Sequence, residues 1–60
     1  MNYGLKLLKK ELKRWKKFYQ EEKAYYKGRE NDPMAITSFD RCTKIIESLT
    51  REVMVLEQYA

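Results

Sequence analysis

The sixty residues contain no histidine and a single cysteine, Cys42. An internal disulfide is therefore excluded, and a structural zinc site, which draws on cysteine and histidine, has too few donors. No metal and no cofactor is expected. Proline occurs once and glycine twice, a scarcity of breakers that suits helices. Long apolar runs are also missing. Only Leu5, Leu7 and Leu8 precede the lysines at Lys9 and Lys10, so neither a signal-peptide core nor a membrane span is expected. A free thiol without an export signal points to a reducing, cytoplasmic setting.

The composition, 43% hydrophobic and 37% charged, is too apolar for disorder. One domain spanning 1–60 is the expectation. A chain of this length buries a smaller fraction of its surface on folding than a larger domain does, so its core is marginal. With disulfide and metal ruled out, self-association or a partner is the remaining route to stability. The net charge of +4 is unevenly placed. Residues 1–29 carry ten cations against Glu11, Glu21 and Glu22, a balance of +7; residues 30–60 carry three cations against six carboxylates, −3. A basic half joined to an acidic half favours attraction within the chain, between copies, or toward an acidic partner.

The chain has one clear interruption, Gly28-Arg29-Glu30-Asn31-Asp32-Pro33. Glycine accepts the left-handed conformation that ends a helix. Asp32 followed by Pro33 has the form of an N-cap and first helical residue. A first helix over about 3–28, a loop over about 29–32 and a second helix over about 33–59 follow from these signals.

Apolar residues recur at alternating steps of three and four on both sides of the break. They are Leu5, Leu8, Leu12, Trp15, Tyr19 and Tyr26 on one side, with Glu22 interrupting the row. On the other side they are Ala35, Phe39, Cys42, Ile46, Leu49, Val53, Leu56 and Ala60. These are a and d positions of heptads. Folded at the break, facing residues have numbers that sum to 61, so that Leu5 meets Leu56, Leu8 meets Val53, Leu12 meets Leu49 and Tyr26 meets Ala35. The fold class is all-α, an antiparallel two-helix hairpin of coiled-coil type.

The two edges of this hairpin differ. One carries Phe18, Tyr25, Ile45 and Tyr59 beside Gly4, Glu11, Ser38 and Glu52; Leu7 and Val55 extend it near the open end. The other carries Lys9, Lys16 and Lys23 against Ile36, Thr43, Thr50 and Glu57. The aromatic edge is the expected site of a second hairpin, giving a homodimeric four-helix bundle. Phe18, Tyr25, Ile45, Tyr59, Leu7 and Val55 are accordingly the candidate protein-interface residues.

Lys6, Lys9, Lys10, Lys13, Lys16, Lys17 and Lys23 form the basic face of the first helix. They are candidates for contact with an acidic partner or with nucleic acid. Trp15, Tyr19 and Tyr26 are assigned to the core, which removes most of the aromatic stacking that single-strand binding uses. Leu5 to Phe18 also reads as a basic amphipathic segment of the kind that lies on membranes or fills a groove, but its apolar face already has an internal partner. Cys42 is read as a small core residue without a base to activate it. Glu22 is expected to turn outward near the loop or to pair with Lys23 or Arg29, with a polar device that fixes register or oligomer state as the alternative. No catalytic residues are expected. The reading is a small non-enzymatic interaction protein that self-associates and binds or modulates a protein partner, with nucleic-acid binding along the first helix as the alternative.

Overall fold

The computed structural model describes residues 3–59. Two helices, α1 (Tyr3–Tyr25) and α2 (Pro33–Gln58), pack against each other along a body 44 × 14 × 11 Å. Among the described residues, no helix is long and apolar enough to cross a membrane. Ala60, the last residue of the α2 stripe, lies outside the described residues.

The start of α2 follows from two residues. Asp32 has an extended backbone (φ −62°, ψ 131°), and its Oδ1 accepts a hydrogen bond from Met34 N–H at 2.9 Å. That bond satisfies one of the first-turn donors a helix leaves open. Pro33 comes next and has no N–H to satisfy.

The end of α1 comes three residues before the expected limit. Tyr26 N–H still bonds Glu22 C=O at 3.0 Å, but Lys27 N–H turns to Ala24 C=O at 3.3 Å, and the chain tightens into turns. Gly28 then adopts φ +84°, a conformation open to glycine at little cost. Arg29 closes the end by donating from Nη2 to Tyr25 C=O at 3.0 Å, with its guanidinium over the Tyr25 and Tyr26 rings at 5.1 and 5.6 Å. This is a charged side chain at a helix C-terminus, where the backbone carbonyls lack partners. Glu30 completes the loop: its Oε1 accepts from Gly28 N–H at 3.1 Å, and backbone hydrogen bonds hold its carboxyl below the usual range. At the far end α2 stops at Gln58, one residue before expectation, where Tyr59 N–H turns back to the carbonyl of Leu56.

The core is a thin line. Leu5, Tyr26, Ala35, Cys42 and Val53 are buried, with Ala35 at 0% and Cys42 at 1% exposure. Leu8, Leu12, Trp15, Tyr19, Phe39, Ile46 and Leu49 are half-buried. Ala35 and Cys42 are small where α1 supplies Tyr26 and Tyr19, the large-against-small alternation that lets facing layers interdigitate. Phe39 anchors this end, with its ring edge-on to Tyr19 (5.9 Å) and Tyr26 (6.0 Å). The register is close to the expected one in the loop half. At the open end it frays: Leu5 is buried, but Leu56, its expected partner, is 37% exposed. Two helices near their free ends have no third element to close over them.

This distribution sets the cost of core truncation. Alanine at Leu12 or Leu49 removes a half-buried side chain, so each should cost about 1–3 kcal/mol, toward the low end for leucine truncation. Leucine at Ala35 should overpack a closed site and cost about 1–3 kcal/mol. Thermal unfolding followed by circular dichroism measures both; unchanged midpoints would contradict the register.

Candidate functional site

The aromatic edge is an open, ridged surface. Of the residues expected there, Tyr25 (62% exposed), Phe18 (43%) and Tyr59 (83%) are exposed, and Ile45 is half-buried. Leu7 and Val55 are exposed at the open end. Edge-on ring contacts hold the first two in place: Phe18 on Trp15 at 5.6 Å and Tyr25 on Tyr26 at 4.9 Å. Such contacts favour one ring orientation, so the exposed aromatics are partly pre-set for a partner.

Three grooves follow this edge. The largest, about 540 Å³, lies at the loop half between Trp15, Phe18 and Glu22 of α1 and Met34, Arg41 and Cys42 of α2. A second, about 250 Å³, is bounded by Glu11, Arg14, Trp15 and Phe18. A third, about 420 Å³, is lined by Leu8, Val55 and Leu56 with Arg51 and Glu52 at its rim. Met34, absent from the sequence expectation, is exposed and widens the loop-end groove. Its position, the second residue of α2 and three heptads before Val55, could have indicated this.

Glu22 departs from the first of its two expectations. It neither points outward nor pairs with Lys23 or Arg29. It is half-buried and accepts a 2.8 Å hydrogen bond from Ser38 Oγ across the helix pair. A carboxylate that accepts one directed bond in a partly dry interface marks a single level of the register, because a shift of α2 would leave it unpaired. The signal was present in the sequence as a serine opposite the break in the α1 stripe.

Cys42 lies beside this pair. Burial raises its thiol pKa above the ordinary 9.0, and the Glu22 carboxylate raises it further; a hydrogen bond with Ser38 and the charge of Arg41 act in the opposite direction. The thiol is covered, protonated at neutral pH and distant from the properties of a nucleophile.

The opposite edge is polar and partly closed by charge. Lys9 Nζ meets Glu57 Oε2 at 3.0 Å, and Lys23 Nζ sits 4.6 Å from the Tyr19 ring centroid. Lys6, Lys10, Lys13, Lys16 and Lys17 are exposed, and among the described residues none of them has a carboxylate within ion-pair distance. Phe18 and Val55 line grooves that Arg14, Arg41 and Arg51 also border, while Lys16 and Lys23 border a separate groove with Tyr19 and Ile46. Among the described residues there is no cluster of three metal-ligating side chains.

No family model, curated protein or solved structure matches the chain. Function is therefore argued from these two surfaces alone.

The Ser38–Glu22 bond and the covered thiol can be tested together. Replacing Ser38 by alanine should destabilise the hairpin by about 1 kcal/mol. Labelling of Cys42 by a thiol reagent should proceed through opening of the helix pair, so the same change should speed labelling about fivefold. Equal labelling rates in native and denatured protein would show that the thiol is not covered.

Proposed function

We propose that the chain is a non-enzymatic interaction protein that self-associates through its aromatic edge and acts by binding a protein partner through its helical faces. The observation that carries this reading is the mismatch between the apolar content and the five buried hydrophobic side chains. Phe18, Tyr25, Met34, Val55 and Tyr59 remain exposed, as do Ile36 and Met54. Isolated exposed hydrophobics are ordinary; what supports a contact surface is that Phe18 and Met34 share one groove and Val55 and Leu56 another. The most economical occupant is another hairpin, which converts the half-buried stripe into the centre of a four-helix bundle.

The non-catalytic part of the proposal is supported by the covered, protonated Cys42 and the absence of histidine. A nucleophile needs a base and a lowered pKa, and this thiol has the reverse. In a self-associated form the basic face of α1 stays outside and is available to an acidic protein surface, with the lysines chiefly raising the association rate.

One observation favours a second reading, nucleic-acid binding along α1: Lys6, Lys10, Lys13 and Lys17 are exposed along one stripe, and among the described residues none has an ion-pair partner. Phosphate contact releases counterions, so such binding weakens linearly in log salt and is insensitive to sequence.

Sedimentation at micromolar concentration tests the leading proposal. The parent chain should behave as a dimer, and glutamate at Phe18 and Tyr25 should shift it to monomer, while glutamine at Lys10 and Lys17 should leave it dimeric. A parent that stays folded and monomeric throughout would overturn self-association. Retention of duplex DNA by the parent, lost with the Lys10 and Lys17 changes, would favour the second reading.

A further inference from the structure

Self-association through the aromatic edge, on which this inference rests, leaves two arrangements open to a two-fold pair of hairpins. In one, the axis runs along the bundle: both loops lie at the same end, and α1 of each copy covers α2 of the other, antiparallel. In the other, the axis crosses the bundle: the loops lie at opposite ends, and α1 covers α1. We infer that the occupant of the aromatic edge is a second copy of this chain in the first arrangement, with α1 lying over the other copy's α2 and Glu21 of each copy paired with Arg41 of the other.

Charge is the first argument. The segment that holds α1 carries +7 and the segment that holds α2 carries −3. Laying α1 over α1 sets the two most cationic elements side by side, and laying α1 over α2 sets opposite signs together. Like charges juxtaposed across an interface are strongly disfavoured.

Residue levels are the second argument. Within one hairpin the Glu22–Ser38 bond and the Tyr19 and Tyr26 contacts with Phe39 place α1 and α2 near the register in which facing numbers sum to 61. A two-fold axis along the bundle carries the same levels from one copy to the other. Leu7 then comes within one residue of Val55, Glu21 within one residue of Arg41 and Phe18 within two residues of Ile45, while Asp40 is level with Glu21; Ile45 is half-buried and the others are exposed. Two apolar pairs thus lie near one level, and Arg41 is the α2 cation nearest the level of Glu21. Among the described residues neither Glu21 nor Arg41 has an ion-pair partner within its own chain. In the crossed arrangement, fully overlapped, Phe18 instead falls against Lys13 and Arg14.

Area is sufficient. A face of 44 × 14 Å corresponds to about 600 Å² from each copy and about 1,200 Å² in all, the lower bound of stable specific interfaces.

The test places a spin label in the loop, by Asn31→Cys in a Cys42→Ala background that is first checked for helix content and sedimentation. Pulsed dipolar spectroscopy reads the separation between the two labels of a dimer. Loops at one end predict a distance under about 25 Å, given helix spacings of about 8–10 Å. Loops at opposite ends predict about the 44 Å length of the body and would overturn the arrangement while leaving self-association intact. A folded monomer with no dipolar signal would overturn both. A second arm keeps Cys42. Glu21→Arg and Arg41→Glu should each weaken the dimer about fivefold, and the double exchange should restore it. Additive losses in the double variant would remove the pairing.

Discussion

Two helices joined by a short loop can cover one stripe of each other, and everything outside that stripe stays in reach of water. In this chain the constraint is severe because the apolar residues are spread wider than one stripe. Ala35 and Cys42 close completely, being small and opposite large aromatic residues near the loop. Leucine, tryptophan and isoleucine further along are covered on one side only. Hydrophobic stabilisation follows the area removed from water, so a half-covered stripe supplies a fraction of what the same residues offer in a deeper core. The exposed edge and the marginal core are thus one fact seen from two sides, and the second hairpin proposed above would answer both.

Polar groups do the work of selecting one arrangement. Asp32 starts α2, and Arg29 caps the end of α1 and stacks on its last two tyrosines. Glu22 and Ser38 bond across the helices at one level, and Lys9 with Glu57 does so near the open end. The exposed pair adds little stability by itself. The half-buried Glu22–Ser38 bond matters more, since a slipped register would leave a carboxylate in a partly dry interface without its donor. The register of one hairpin then sets the levels at which a second can dock.

Much of this was legible in the residue order. The break at Gly28–Pro33, the Asp32 cap and the alternating steps of three and four are local signals, and local signals survive without knowledge of the tertiary structure. The end of α1 was less legible, because Arg29 reaches back to the Tyr25 carbonyl and the tightening begins at Lys27, before the glycine. The exposure of Leu56 depends on what lies beyond the helix ends, which periodicity does not encode. Glu22 follows the less expected of its two readings, because a carboxylate in an apolar row is usually expelled to solvent and its retention depends on Ser38, sixteen positions away. The exposure of Phe18, Tyr25 and Tyr59 agrees with their flanking heptad positions, whereas Ile45 is half-buried.

In the proposed dimer, stability and self-association are one equilibrium. A folded state that exists as a dimer gains stability with concentration by mass action, whereas a monomer does not. The direct measurement is the thermal unfolding midpoint across a hundredfold range of protein concentration. The account predicts a midpoint that rises steadily with concentration in the parent chain and loses that dependence when Phe18 and Tyr25 are replaced by glutamate. A midpoint independent of concentration in the parent, with helix content intact, would contradict it.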